Sequence, residues 1–392
     1  MKKMWATVAA MLVIVSVLAA CGGNNSSEPS GKTPDAPSAS SSQAPSASAP
    51  ADNGQKLPKV VALLNGNLGD KSFFDSANNG MKLVKEQVGA ETKVIEMGFD
   101  NTKWEPTLLD VSDQDYDIII VGTWQMQEIL QKVAPQYPDK KYIIFDSAVD
   151  YAKGNLNNVY SITFKQNEAS YLAGALAAMI ASGSELPNSN GKKLISAVAG
   201  MDIPVINDFL AGYIQGAKDA VSDIKVAISY VNDFNDTAKA KELALAQFKM
   251  GSSVGFNVAA QAGLGLIDAA GNEGKYAIGV DADQALSMMD SNPNTAKLIV
   301  SSVLKNIDNV LLRSVKMHIE GTLPYGKEDV LGVKEQAVGL ADNEVYQSLV
   351  PQSMRDKLAE LQSKIESGEI AVPSAFSLQP DEFAALKDSV KP

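Results

Sequence analysis

Lys141-Tyr142-Ile143-Ile144-Phe145-Asp146 and Lys275-Tyr276-Ala277-Ile278-Gly279-Val280-Asp281 repeat one pattern. Each is a short apolar run ending in aspartate, and each follows a strand–turn–helix unit. Between them and before them lie runs such as Ile118-Ile119-Ile120-Val121, apolar at every position. Continuous apolar strands separated by helices predict a parallel sheet covered on both faces. Working outward, residues 59–64, 93–97, 117–121 and 141–145 read as strands, with helices over 73–88 and 125–136. A second series has strands over 194–199, 225–230, 254–258 and 276–280, with helices over 205–221, 237–249 and 264–270. The expected fold class is therefore α/β, with two doubly wound, Rossmann-like lobes. A further strand over 296–303 leads into a helix over 306–319. Short edge strands over 328–331 and 336–340, an amphipathic helix over 351–366 and a last helical turn after Pro380 complete the chain. The extra strand and helix after Asp281 predict that the chain crosses between lobes more than once, forming a hinge of several strands. Ligands of open parallel sheets bind outside the carboxyl ends of the strands. Asp146 and Asp281 occupy that position in each lobe, facing a shared cleft; taken singly, each equally suits a turn or helix cap.

Composition narrows the chemistry. The chain has 392 residues, a formal charge of −12, one cysteine and one histidine. One thiol excludes a disulfide framework and a cysteine-built zinc or iron–sulfur site. His318 alone supplies no multi-histidine metal site, and its place late in a helix reads as a partner for the helix dipole. Net acidity with only Arg313 and Arg355 as arginines argues against a nucleic acid polymer, which demands clustered cations. The length fits two domains at roughly 100–200 residues each.

The N-terminus opens Met1-Lys2-Lys3, runs through an apolar stretch and reaches Leu18-Ala19-Ala20-Cys21. A positive start, a short apolar core and small residues before a cleavage point predict a secretory signal over residues 1–20, since a permanent span needs about 20 apolar residues. The small residues before the only cysteine resemble a bacterial lipobox, which implies lipidation of Cys21 (diacylglyceryl, with palmitate as an acyl chain); an ordinary signal peptide with an incidental cysteine is the alternative. Losing Lys2 and Lys3, two positive charges, takes the formal charge from −12 to −14, so lipid rather than surface charge must hold the protein to a membrane. Residues 21–57 are rich in Ser, Pro and Ala, and read as a tether that buries too little to order itself.

The most informative loop is Asn65-Gly66-Asn67-Leu68-Gly69-Asp70-Lys71-Ser72-Phe73-Phe74-Asp75. Ser72 or Asp70 is placed to cap the next helix, whose free N–H groups can meet an acceptor. It lacks the spacing of a phosphate-binding Walker A loop or a dinucleotide fingerprint. Of the adjacent Phe73 and Phe74, one is expected in the core and one in the cleft. Trp124 at a strand end and Phe209 one turn into a helix each suit core packing or ligand stacking. Gly263 permits close backbone approach or a plain turn. Lys305 is expected to begin a helix, an electrostatically unfavourable place that suits a role in the cleft or a solvated surface.

The segments Gly69-Asp70-Lys71-Ser72-Phe73, Tyr137-Pro138-Asp139, Asn167-Glu168-Ala169-Ser170-Tyr171-Leu172-Ala173-Gly174, Gly200-Met201-Asp202-Ile203-Pro204-Val205-Ile206 with Phe209, Gly212 and Gly216, Ala238-Lys239-Ala240-Lys241-Glu242-Leu243-Ala244, Gly279-Val280-Asp281-Ala282-Asp283-Gln284 and Ser302-Val303-Leu304-Lys305 share an order and spacing. In these the chain resembles the bacterial basic membrane protein family of lipoproteins, nucleoside-binding components of ABC transporters. The resemblance implies a type I periplasmic-binding fold with a three-crossover hinge, here an N-terminal lobe of 58–163 plus 284–318 and a C-terminal lobe of 164–283 plus 319–392. It implies a nucleoside, purine favoured, stacked between Phe73 and Phe209, with Asp281 and Lys305 on the ribose hydroxyls. Asp70 and Asp146 would read base or sugar edges, and Gly263 would approach the ligand; Trp124 is counted with these binding residues on its strand-end position alone. The family usually has Asn after Ser-Phe, where this chain has Phe74-Asp75. A carboxylate accepting from a vicinal diol and aromatic faces around a neutral base suit a nucleoside, and an acidic cleft disfavours a nucleotide. The expected protein is a non-enzymatic monomer without cofactor, held by lipid on the extracytoplasmic face and delivering ligand to permease subunits. A surface sensor that signals to a membrane partner, or the same receptor fold binding a sugar, are the alternative readings.

Overall fold

The computed structural model describes residues 56–392. The expected signal peptide, Cys21 and nearly all of the tether lie outside the described residues.

Two six-stranded sheets organise the body. The first contains β1 (Lys59–Leu64), β2 (Glu91–Glu96), β3 (Ile118–Gly122), β4 (Lys141–Phe145) and β5 (Val159–Phe164). The second contains β6 (Leu194–Ala199), β7 (Lys225–Tyr230), β8 (Val254–Val258), β9 (Tyr276–Asp281) and β10 (Ile299–Lys305). Two late strands, β11 (Lys327–Leu331) and β12 (Val338–Leu340), are divided between them. The strand orders are β11-β5-β4-β3-β1-β2 and β12-β10-β9-β8-β6-β7. All neighbours run parallel except β12, which is antiparallel to β10. Each sheet therefore winds outward in both directions from its first strand, which is the type I periplasmic-binding fold anticipated above. Ile118, Ile119, Ile120 and Val121 are wholly buried, each stabilising by about 1.5–3 kcal/mol relative to exposure.

The chain passes between lobes three times, after β5, after β10 and between β11 and β12. The expected lobe boundaries need correction here. Residues 284–305 do not belong to the first lobe, because β10 is hydrogen-bonded to β9, with Ile299 opposite Ala277. Only the helix Ile307–Ile319 returns to the first lobe, where Asn79 donates to Asp308 at 2.9 Å. Conversely, β11 leaves the expected second lobe and pairs with β5, Lys327 opposite Tyr160.

Several elements went unread in the sequence, among them β5 and the helices Trp104–Ser112, Gln284–Met289, Glu344–Leu349 and Gln166–Ser182. The last is buried on nearly every face, so it carries no amphipathic period to detect. It packs against the helix Pro204–Ala220 so closely that a Cβ on Gly174 would lie 2.0 Å from the Tyr213 carbonyl oxygen, and one on Gly216 would lie 1.9 Å from that of Tyr171. Glycine is what lets these two backbones touch. His318 differs from expectation too: its ring meets the Tyr325 hydroxyl at 3.0 Å, and burial lowers its pKa, so at neutral pH it is no charged partner for the helix dipole.

Candidate ligand-binding cleft

The carboxyl ends of both sheets face one cavity of about 320 Å³, in the range of small-molecule sites. Phe73, Trp124, Asp146, Phe209, Asp281 and Lys305 line it. Asp70 and Gly263, expected among them, do not.

Asp70 is consumed by its own loop. Its carboxylate accepts the backbone N–H groups of Ser72 at 3.0 Å, Phe74 at 2.9 Å and Asp75 at 3.1 Å. It therefore caps the helix Phe73–Leu83, and the free N–H groups expected to meet a ligand are already satisfied. Burial raises its pKa against the opposing pull of those bonds. Gly263 is small for a different neighbour: a Cβ there would fall 1.5 Å from the Asn257 side-chain oxygen.

With Asp70 capping the helix, the Ser72 hydroxyl is released and donates across the cleft to Asp281 at 2.7 Å. Asp146 does the reverse, reaching from the first lobe to the Lys305 ammonium of the second at 2.6 Å. Each strand-end aspartate thus ends on a residue of the opposite lobe. Both also share a left-handed backbone, φ 60° at Asp146 and 62° at Asp281, a conformation aspartate tolerates better than most residues. Lys71 adds a third tie, its ammonium donating to the Ser287 carbonyl at 2.9 Å.

Lys305 is the last residue of β10 and does not begin a helix as expected, because β10 stays paired through Val338 of β12. Only 2% of it is exposed. Its ammonium lies 5.7 Å from the ring centre of Phe73, 5.5 Å from Phe164 and 5.0 Å from Phe209, a three-sided aromatic box of the kind that attracts cations. Burial pushes the Asp281 carboxyl up to about 6, with Lys305 and the Ser72 bond pulling the other way.

Phe73 and Phe74 both line the cavity, meeting edge to face at 5.2 Å. Trp124 is 48% exposed at its mouth. The sequence reading missed several lining residues. Asn65 donates to Thr123 at 2.8 Å and to Gln125 at 3.2 Å. Its amide oxygen is buried without a partner, as is that of Asn235 in the second lobe, and both residues line the cavity. Trp104, Phe234 and Asn232 complete this end. Asn65 lies in the loop singled out above, but nothing in the sequence marks which of its two asparagines faces inward.

A family model described as "ABC transporter substrate-binding protein PnrA-like" matches residues 57–375. The chain belongs to this basic membrane protein (Bmp) family. Basic membrane protein A of Borreliella burgdorferi is 29% identical over 325 residues, covering 82% of this chain and 89% of that protein. The ABC transporter nucleoside-binding protein BmpA of Lactococcus lactis is 27% identical, covering 95% and 99%. Among solved structures, an ABC transporter solute-binding protein from Aeropyrum pernix superposes with a TM-score of 0.73 at 28% identity, covering 85% of this chain and 98% of that one. As a Bmp-family member the chain is an extracytoplasmic substrate-binding protein of ABC transport and not an enzyme. Among the described residues no helix is long and apolar enough to cross a membrane.

Proposed function

We propose that the protein binds nucleosides, purine nucleosides by preference, between its two lobes and delivers them to a membrane permease. The observation that carries this reading is the joining of Phe73 and Phe209 with Asp146, Asp281 and Lys305 in one cavity, where the Ser72–Asp281 and Lys305–Asp146 bonds cross the cleft. Aromatic walls suit a flat neutral base. A buried carboxylate at the end of β9 suits a vicinal diol, since charged acceptors form the stronger hydrogen bonds. The unpartnered oxygens of Asn65 and Asn235 suit the N–H donors of a base edge, because buried acceptors rarely stay unpaired. The Lactococcus relative, whose name states nucleoside binding, supports the same choice over a sugar.

Binding closes the lobes around the ligand, and the closed form is what a permease recognises; hinge closure is the usual transition of such two-lobe proteins. Attachment through a lipidated Cys21 would keep the receptor beside its permease. Mass spectrometry of protein purified without added ligand tests the substrate class: a purine nucleoside released on denaturation supports the reading, and a co-purified hexose or pentose contradicts it. Detergent partitioning of Cys21→Ala against the parent tests the anchor, with loss of the membrane fraction expected.

A further inference from the structure

A second cavity of about 940 Å³ adjoins the first, and Trp124, Asp146, Ile203 and Val205 line both. Their common boundary includes Asp146, whose carboxylate holds Lys305, the residue that the family resemblance puts with Asp281 on the ribose hydroxyls. The far walls come from Val330 of β11 and from the segment Ile365 to Phe376. That segment is strapped down. Asn167 donates to the carbonyls of Val372 at 3.1 Å and Pro373 at 3.2 Å, and Asp208 accepts from the Ser374 hydroxyl at 2.6 Å and the Ala375 N–H at 2.9 Å. The other oxygen of Asp208 accepts from Gln166 at 2.7 Å, so one buried carboxylate joins the strap, the first hinge crossing and the helix that bears Phe209. The cavity is thus built by ordered chain.

Its chemistry is apolar and acidic. Trp124, Val330 and Phe376 are 48%, 51% and 60% exposed, large apolar groups left to water around one cavity. Four carboxylates, Asp146, Glu168, Asp208 and Glu328, face one ammonium among the lining residues, that of Lys165. Lys305 compensates Asp146 and also acts on Asp208, and Lys165 compensates Glu168 at 3.3 Å; Glu328 has no cation in the lining. Burial pushes Asp208 up to about 6, which leaves it ionised at neutral pH.

We infer that this cavity is an extension subsite that accepts an uncharged or cationic substituent on the sugar side of a bound nucleoside and rejects an anionic one. The inference rests on the nucleoside reading of the first cavity. Apolar walls favour burial of an alkyl or aromatic extension. A negative low-dielectric cleft concentrates cations and repels anions.

The test is calorimetry on the purified protein with a purine nucleoside and with its 5′-alkylthio, 5′-aminoalkylthio and 5′-carboxyalkylthio analogues. The first two analogues are expected to bind at least as tightly as the parent nucleoside, and the carboxylate about tenfold or more weakly. Val330→Lys, on an exposed edge strand away from the first cavity, should leave the parent nucleoside unchanged and reverse the order of amine and carboxylate. Equal loss of binding for all three extensions, or an order that Val330→Lys does not alter, overturns the subsite while the nucleoside reading stands. Failure of the plain nucleoside to bind removes that reading and the subsite with it.

Discussion

Asp281 is the residue through which pH should act most visibly. Its carboxyl is held at about 6 by burial, well above its ordinary value, so it takes up its proton earlier on acidification than an exposed aspartate. As pH falls through 6 the charged acceptor disappears, and nucleoside affinity should fall by up to about tenfold per pH unit. Stability of the empty protein responds with the opposite sign. The folded state binds this proton more tightly than the unfolded chain, so the contribution of Asp281 weakens stability as pH rises from about 4 to 6. Asp281→Asn should flatten the affinity dependence, measured by calorimetry across pH, and reduce the stability dependence seen in thermal melts, the remainder belonging to Asp208, which burial also pushes up to about 6. Removing a stacking ring gives a separate signature: Phe209→Leu keeps an apolar side chain in a buried site yet removes an aromatic contact worth about 0.5–1.5 kcal/mol. A loss of roughly tenfold in affinity, with little change with pH, is expected. Much of this site was legible at residue level because strand-end aspartates are set by topology. Asp70 was not, since a carboxylate beside a helix start serves a cap or a ligand equally well in sequence, and only the three N–H groups around it decide between them.

Among the elements, the crossed helices Gln166–Ser182 and Pro204–Ala220 matter most, because the second carries Phe209 and the first follows the hinge. Their glycine contacts leave no room for a methyl group. Gly216→Ala should destabilise by about 1–3 kcal/mol, as overpacking does, and a melt showing no drop would mean the helices part freely. Because the shift would also displace Phe209, ligand affinity should fall with it. Strands buried on both faces were readable where their run is wholly apolar, as in Ile118–Gly122, while β5 is nearly as deeply buried but interrupted by Ser161 and Thr163. Most longer helices exposed on one side were readable from their period, but Trp104–Ser112, with Pro106 near its start, was not. Gln166–Ser182 was hidden by its burial, and β10 and β11 were assigned to the wrong lobes because pairing partners distant in sequence leave no local mark.

In the whole molecule, the two lobes already make part of their contacts across the cleft. Ser72 with Asp281, Lys305 with Asp146 and Lys71 with Ser287 are ties that an opening motion must break or stretch. Ser72→Ala and Lys71→Ala together should therefore shift the unliganded protein toward an open form, seen as a larger radius of gyration in small-angle scattering that ligand reverses. The overall charge of −12 fits the same picture, since an acidic receptor disfavours phosphorylated competitors of a neutral nucleoside. Whether the cleft between the lobes is a nucleoside site is decided by titrating the purified protein with a purine nucleoside and, in parallel, with free ribose and the nucleoside monophosphate. Saturable one-to-one binding of the nucleoside is expected, at least about a hundredfold tighter than that of either comparison ligand, and lost in Asp281→Ala. Saturable binding of a free sugar with no response to the nucleoside would contradict it.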